Sequence, residues 1–274
     1  MELGFVEIDW RGRAVHIEHV WIAPVRREAP LLVFLHEGLG SVAMWRDFPQ
    51  QLCAALGCRG LVYSRPGYGR STPRGADEKW GTDFMHRQAL EVLPALLSAL
   101  DIDTERQPIW LFGHSDGASI ALLHAAHRPA HTAGAVVLAP HIKVEDISIA
   151  SIAQARRAYL ETDLRARLAR HHDDPDSAFW GWNDVWLNGD FRAWSIEPEI
   201  AAIRCPLLAL QGLGDEYGTL EQIRGIARAV PQTELLELAE CGHSPHRDRP
   251  DAVIAAAQAF FRRHAGSATE AGPR

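Results

Sequence analysis

The chain has 274 residues, of which 47% are hydrophobic and 23% are charged, and its formal net charge is −7. This is the composition of an ordinary soluble globular protein, and the length allows two small domains or one α/β domain with an insertion. The negative charge argues against nucleic acid or an anionic membrane as the main partner and favours a dissolved small molecule. The sequence leaves a homo-oligomer open.

No targeting or membrane segment is predicted. Residues 1–10 lack a basic start and an apolar core segment, so they do not resemble a signal peptide. No window of the sequence approaches a membrane-spanning length. The four cysteines are scattered singly, without the paired spacing of a zinc site or a redox motif. We therefore expect a cytoplasmic protein with free thiols.

Apolar runs alternate with helical patterns along most of the chain. Alternating apolar residues on either side of residues 11–13 predict an antiparallel hairpin at a sheet edge. After Pro30 the runs become short and continuous, which is typical of strands buried on both faces of a parallel sheet. These predicted strands cover residues 31–35, 60–63, 109–112, 135–138 and 207–210, and a last strand is predicted over residues 234–238. The predicted helices cover residues 48–56, 84–100, 119–127, 220–230 and 252–261, and the alternation indicates a doubly wound α/β fold.

The segment from residue 141 to about residue 200 interrupts this alternation, because it contains no run typical of a parallel strand. A helical pattern over residues 152–170 is followed by the aromatic residues Phe179, Trp180, Trp182, Trp186, Phe191 and Trp194. We predict a helical cap of residues 141–200 on a core of residues 1–140 and 201–264. Most of the cap tryptophans are expected to pack the cap against the core, while Trp182 and Trp186 are predicted to contact substrate. Residues 265–274 lack apolar content and are predicted to be disordered.

Residues 113–117, Gly-His-Ser-Asp-Gly, lie where an apolar strand gives way to a predicted helix. This is the context of a nucleophile elbow, in which a sharp turn exposes the serine hydroxyl above the sheet. Glycine is needed on both sides because a larger side chain would crowd the neighbouring strand or helix. The pentapeptide alone arises easily by chance, so the case for Ser115 as a nucleophile depends on its partners.

A serine nucleophile needs a base, and the base needs an acid that orients it. Asp215 follows the predicted strand 207–210, at the strand end where open α/β sheets place their sites. Its neighbour Glu216 is an alternative, and a helix-capping aspartate is the purely structural interpretation. His243 follows the last predicted strand directly after a glycine, and His246 is its competitor. We predict Asp215 as the acid and His243 as the base.

An oxyanion hole is predicted from two backbone N–H groups. One belongs to Asp116, and the other to the glycine-rich loop of residues 36–40, where Gly38 is preferred and Glu37 is the alternative. A glycine-rich turn without a catalytic role is the other interpretation of this loop. No lysine follows it, so it does not resemble a phosphate-binding loop. We expect no metal, because the spacing of His243 and His246 offers no third ligand, and no cofactor.

Taken together, these motifs resemble the α/β-hydrolase superfamily across residues 1 to about 264. Residues 36–40 are similar to its His-Gly oxyanion loop, although Glu37 stands where the family commonly has glycine. Residues 64–71, Ser-Arg-Pro-Gly-Tyr-Gly-Arg-Ser, resemble its R-G-x-G-x-S loop. The resemblance implies an α/β-hydrolase fold, with a mostly parallel eight-stranded sheet flanked by helices and an inserted helical cap.

The elbow resembles those of two groups within the superfamily. An aspartate directly after the nucleophile is similar to the elbow of valacyclovir hydrolase, where it is associated with recognition of an ammonium group. This resemblance implies that Asp116 and Glu37 form an acidic floor for a cationic substrate, whereas the simpler interpretation is that Asp116 stabilises the helix dipole. The elbow is also similar to those of carbon-carbon bond hydrolases and enol-lactonases.

The sequence thus predicts a serine hydrolase that cleaves a small carboxylic ester through an acyl-enzyme. A lactone, thioester or carbon-carbon bond hydrolase with the same residues stays open, because bond choice depends on how the cap holds the substrate. A non-catalytic small-molecule receptor on the same fold is the rival from another class. Such a receptor would not require Ser115, Asp215 and His243 together.

Overall fold

A single twisted sheet carries the functional residues of the chain. The structure is a computed structural model that describes residues 3–22 and 28–265. Eight strands of the described residues form the sheet in the order β1-β2-β4-β3-β5-β6-β7-β8. Their bounds are β1 Leu3–Trp10, β2 Arg13–Ile22, β3 Leu31–Leu35, β4 Arg59–Tyr63, β5 Ile109–His114, β6 Thr132–Leu138, β7 Leu207–Gly212 and β8 Thr233–Leu238. The first two strands form the predicted antiparallel hairpin, and β3 to β8 run parallel.

Helices cover both faces of this sheet. They are α1 Phe48–Leu56, α2 Phe84–Arg87, α3 Leu93–Ala99, α4 Asp116–His127, α5 Asp146–Glu161, α6 Leu164–Leu168, α7 Pro175–Trp186, α8 Glu197–Ile200, α9 Glu221–Ala229, α10 Pro245–Asp248 and α11 Pro250–Ala265. A π-helical stretch, Gln88–Val92, joins α2 to α3. It ends two residues before Pro94, which has no N–H to continue the α-helical hydrogen bonds. The single helix predicted over residues 84–100 is therefore interrupted.

The continuous apolar runs of the parallel strands are explained by burial on both faces. In β3, Leu31, Val33 and Leu35 belong to the core on the side of α4, while Leu32 and Phe34 belong to the core on the side of α1 and α11. Successive side chains of a strand point to opposite faces, so both sets must be apolar when both faces are covered. This pattern confirms the predicted α/β fold.

Helices α5 to α8 lie between β6 and β7 and pack over the sheet. The prediction of one helical stretch over residues 152–170 is wrong in its bounds, because α5 begins at Asp146 and ends at Glu161. The break occurs at Thr162, whose backbone is extended and whose hydroxyl donates to the carbonyl of Ala158. Such side-chain bonds compete with helix continuation. The division into core and cap stays a prediction, since the buried aromatic residues of this segment share one core with the sheet.

Two further predictions concern the end of the chain and membrane-spanning helices. The disorder predicted for residues 265–274 concerns a stretch that, from residue 266 onward, lies outside the described residues. Within residues 3–22 and 28–265, no helix is long and apolar enough to cross a bilayer. The four cysteines are free and buried.

We expect Gly117→Ala to destabilise the protein. A Cβ atom at Gly117 would overlap the carbonyl groups of Leu35 and His36, which are backbone and cannot move aside. Overpacking of this kind costs about 1–3 kcal/mol in the free energy of unfolding. Urea denaturation measures the loss, and Gly189→Ala is the matched control because a Cβ there meets nothing within 4 Å. Equal stability of the two variants would contradict the close approach.

Candidate active site

The chain changes from strand to helix at a single residue, Ser115. β5 ends at His114 and α4 begins at Asp116, and Ser115 between them has φ 53° and ψ −121°. A residue other than glycine in this region costs about 1–3 kcal/mol and persists only where the surroundings enforce it. Here a Cβ atom at Gly113 would overlap the carbonyl oxygen of Gly117. The packing of the two glycines therefore enforces the sharp turn.

The structure brings Ser115, His243 and Asp215 together. Nε2 of His243 lies 2.9 Å from Oγ of Ser115, and Nδ1 of His243 lies 2.8 Å from Oδ1 of Asp215. Ser115 is 6% exposed, and the His243 side chain is 12% exposed. The hydroxyl can therefore pass its proton to His243 while remaining accessible to a small molecule.

Asp215 is held as a carboxylate by several donors. The backbone N–H groups of Tyr217 and Gly218 donate to its Oδ1, and Nε2 of Gln211 donates to its Oδ2 at 3.0 Å. Burial by itself would raise the pKa of Asp215. The hydrogen bonds from His243 and Tyr217 and the charge of His243 outweigh burial and lower this pKa. Asp215 is thus suited to accept the hydrogen bond that orients the imidazole.

The alternatives to this acid and base lie elsewhere. Oε2 of Glu216 accepts a hydrogen bond from the backbone N–H of His243 at 3.2 Å, so it supports the histidine from its main-chain side. His246 is 4% exposed and packs against Trp45 and Phe48, with ring centroids 4.9 and 5.5 Å away. Burial lowers the pKa of His246 far below its ordinary value. It is therefore a neutral core histidine.

The two loops that carry the family resemblance, residues 36–40 and residues 64–71, contact each other after β3. The buried Arg65 donates from its backbone N–H to Nε2 of His36 at 3.0 Å, and from Nη2 to the carbonyl of Glu37 at 2.8 Å. Nδ1 of His36 lies 2.7 Å from the same carbonyl. The Arg65 guanidinium also lies 4.6 Å from the ring centre of Tyr68. These contacts hold the loop of residues 36–40 in one conformation beside the elbow.

The predicted oxyanion donors both line the cavity at Ser115. Among the described residues, neither the N–H of Gly38 nor that of Asp116 has a hydrogen-bond acceptor. An unpaired N–H is expected at the first position of a helix such as α4. A Cβ atom at Gly38 would overlap the indole of Trp182, so glycine is what allows Trp182 of α7 to pack against this loop.

Glu37, predicted as a substrate contact, directs its carboxylate toward His114 of the elbow. Its Oε2 lies 3.5 Å from Nδ1 of His114, and its side chain is 20% exposed at the cavity. Burial would raise its pKa, but the neighbouring imidazole of His114 outweighs this effect and lowers the pKa well below its usual range. Nε2 of His114 lies 2.7 Å from the carbonyl oxygen of His243. Glu37 therefore contacts the base indirectly, through His114.

Asp116 lies beside Trp186 of α7 with one carboxylate oxygen unpaired among the described residues. Its Oδ1 accepts from Nε1 of Trp186 at 3.3 Å, while its buried Oδ2 has no partner within the described part of the chain. Burial raises the pKa of Asp116 to about 6, against the opposing charge of Arg65 and the hydrogen bond from Trp186. The predicted acidic floor thus consists of one carboxylate near Trp186 and another, Glu37, near His114.

The cavity at Ser115 measures about 180 Å³. Trp182, Trp186 and Ile152 of the segment between β6 and β7 form its upper wall. His141 and Tyr217 also line it, with ring centroids 5.8 and 4.7 Å from that of His243, and neither was predicted. Burial lowers the pKa of His141 to about 3, so this imidazole is neutral. The only sequence signals for the two residues are that His141 lies three residues after the end of β6 and that Tyr217 lies two residues after Asp215.

No group of three or more histidine, cysteine, aspartate or glutamate side chains within residues 3–22 and 28–265 could hold a metal ion. The cavity at Ser115 is thus lined by groups suited to acid-base chemistry and hydrogen bonding. A serine hydroxyl, an imidazole, a carboxylate and two unpaired N–H groups lie together at one edge of the sheet.

The family model of the alpha/beta hydrolase family matches residues 32–257. The chain belongs to the α/β hydrolase family. The match covers β3 to β8, the elbow and the loops that carry Asp215 and His243. It confirms the predicted family and fold, and it agrees with the prediction of a hydrolase.

The sequence identity to individual proteins is low. Human monoglyceride lipase is 30% identical over 109 residues, which are 40% of this chain and 34% of the lipase. The match thus spans about a third of the length of that relative. A carboxylesterase from Nitrososphaera gargenis has a TM-score of 0.75 at 17% identity, with coverage of 95% of this chain and 99% of that chain. The enol-lactonase from Burkholderia xenovorans LB400 has a TM-score of 0.70 at 20% identity, with coverage of 90% and 97%. At these identities the structural likeness shows the fold.

We expect Asp116→Asn to change the pH dependence of stability. Because the pKa of Asp116 is raised to about 6 from an ordinary 3.8, the folded protein binds the proton more tightly than the unfolded chain. The wild-type free energy of unfolding should therefore fall as the pH rises through this range. The variant lacks this loss, so it should gain up to about 3 kcal/mol relative to wild type between about pH 4 and pH 8.

Chemical denaturation at the two pH values measures this gain. Asp184 is an exposed aspartate of α7. The control variant Asp184→Asn should show no such gain. A difference between Asp116→Asn and wild type that is the same at both pH values would contradict the buried, ionisable carboxylate.

Proposed function

We propose that the protein is a serine hydrolase that cleaves small carboxylic esters through an acyl-enzyme. The observation that carries this proposal is the position of the His243 ring, with Nε2 2.9 Å from Oγ of Ser115 and Nδ1 2.8 Å from Oδ1 of Asp215. These distances are within reach for proton transfer and for orientation of the imidazole. Membership of the α/β hydrolase family supports the same chemistry.

In the proposed reaction, Oγ of Ser115 attacks the ester carbonyl while Nε2 of His243 accepts the hydroxyl proton. The carboxylate of Asp215 stabilises the imidazolium that forms. The N–H groups of Gly38 and Asp116 donate to the oxyanion of the tetrahedral intermediate. His243 then gives the proton to the departing alkoxide, which leaves as an alcohol. Water deacylates the enzyme by the same route, with His243 as the base.

The cavity supports a small acyl group. Its volume of about 180 Å³ is below the range of roughly 300–1,000 Å³ that is usual for drug-sized ligands. The indole rings of Trp182 and Trp186 supply an apolar wall. A compact lactone would satisfy the same dimensions, and the enol-lactonase with a similar fold makes it the second candidate substrate class. A receptor without catalysis is disfavoured, because binding alone does not require the strained backbone at Ser115.

Ser115→Ala should lower kcat/KM for p-nitrophenyl acetate by about a thousandfold or more, because the nucleophile is lost. His243→Ala should cause a loss of similar size. The matched control is Ser98→Ala, an exposed serine on α3, which should retain wild-type kinetics. Hydrolysis by Ser115→Ala at the wild-type rate would contradict the assignment. The same assay on unsubstituted γ- and δ-lactones ranks the second substrate class against esters.

Glu37 offers a sharper test, because it can act on the base or on the substrate. If the carboxylate acts by orienting His114, which lies between Glu37 and the carbonyl of His243, Glu37→Gln should loosen the position of His243. We then expect kcat to fall by about 10- to 100-fold while KM stays unchanged. Steady-state kinetics separate the two constants.

The control variant for this experiment is Glu161→Gln, at the exposed end of α5. It should leave both constants unchanged. A rise in KM at constant kcat for Glu37→Gln would instead assign Glu37 to ground-state substrate binding, and would contradict a role through His114.

A further inference from the structure

A second cavity, larger than the one at Ser115, lies beside Pro66 and Gly67 of the residue 64–71 loop. It measures about 620 Å³ and shares no lining residue with the cavity at Ser115. We call it the basic groove, and its lining includes Trp10, Arg13, Arg74, Glu78, Lys79 and Trp80. The proposed hydrolase reaction makes no use of it.

The charge of the basic groove is opposite to that of the protein. Five of its lining residues are arginine or lysine and one is acidic, although the whole chain carries a formal charge of −7. Arg13 pairs with Glu78 at 3.0 Å, and Arg87 pairs with Asp83 at 2.7 Å. Within the described residues, no carboxylate lies within 4.0 Å of a cationic nitrogen of the remaining three, which are Arg11, Arg74 and Lys79. The groove therefore keeps a net positive charge after its internal ion pairs are counted.

Two of the guanidinium groups are held in place before any ligand arrives. Nη1 of Arg74 donates to the carbonyl oxygens of Gly75 and Glu78. Arg13 is held by the carboxylate of Glu78, which also accepts from the backbone N–H of Gly75. A fixed guanidinium loses little freedom when it binds, and its planar fork matches two oxygens of a phosphate.

Two tryptophans contribute ring surface beside these charges. Nε1 of Trp10 donates to Glu91 at 2.8 Å, which fixes that indole at the end of β1. Trp80 stacks on Phe84, with ring centroids 6.4 Å apart and planes inclined by 7°, and its outer edge lies against Gly67 and Gly181. Rings held in this way provide platforms on which a planar heterocycle stacks.

We propose that the basic groove is a binding site for a nucleotide, meaning an organic diphosphate joined to a planar base. The cations match the phosphates, the tryptophans match the base, and a volume of about 620 Å³ is within the usual range of roughly 300–1,000 Å³ for ligand pockets. An inorganic phosphate would fill only a fraction of it. The cavity at Ser115 is a poor competitor for such an anion, since Glu37, Asp116 and Glu216 line it.

Isothermal titration calorimetry with adenosine diphosphate, pyrophosphate and adenosine tests the proposal on the full chain. We expect adenosine diphosphate to bind saturably with a Kd below about 1 mM. Pyrophosphate should bind at least about tenfold more weakly, and adenosine more weakly still, because each lacks one half of the ligand. Added salt should weaken the binding of adenosine diphosphate, since the groove is open to solvent screening.

Lys79→Glu is the principal variant, because Lys79 is exposed and its replacement breaks no ion pair among the described residues. It should weaken adenosine diphosphate binding by about tenfold or more. Arg262→Glu, an equal charge change on the exposed side of α11, should leave the affinity unchanged. Ser115→Ala should also bind as wild type does, so failure of this proposal and failure of the proposed hydrolase reaction are distinguishable.

Three results would overturn the proposal. The first is the absence of saturable binding of adenosine diphosphate at concentrations up to about 10 mM. The second is an affinity that Lys79→Glu and Arg262→Glu reduce equally, which would indicate attraction by overall charge. The third is pyrophosphate binding as tight as that of adenosine diphosphate, which would leave the tryptophans without a role.

Discussion

The close approach of the start of α4 to the ends of β3 and β5 is the constraint on which the site depends. Gly117 lies against the carbonyl group of Leu35, and Gly113 lies against the first turn of α4. With so little room, one residue must turn the chain from strand to helix, and Ser115 does so at φ 53°. The backbone strain is offset by the packing of the whole sheet, because the apolar faces of β3 and β5 fix both neighbours of the elbow.

Charged and polar groups buried around the elbow extend this constraint to the neighbouring loops. Arg65 ties His36 and the carbonyl of Glu37 together, and His114 links the Glu37 carboxylate to the carbonyl of His243. A buried charge is stable only when it is paired or hydrogen-bonded. These contacts therefore connect neighbouring parts of the site, and a change in one loop should shift the position of the His243 imidazole.

The parts of the molecule that sequence could predict are those set by local pattern. The runs of β3 to β7 are apolar because both faces are covered, so their positions could be predicted within a few residues, as could the turn at Ser115. The direction of the Glu37 carboxylate could not be, because it depends on His114, 77 residues away in the chain but adjacent across the sheet. His141 and Tyr217 were missed for the same reason, and Thr162 interrupts a helix through a side-chain hydrogen bond that periodicity does not register.

We propose that Ser115 is a nucleophile that His243 activates. Reaction with a fluorophosphonate, followed by mass spectrometry of the tryptic peptides, tests it most directly, because the reagent phosphonylates an activated serine whatever the natural substrate is. We expect one adduct, on Ser115, and labelling that is slowed strongly in a folded His243→Ala variant. No adduct on Ser115, or labelling of Ser115 at the same rate without His243, would contradict it.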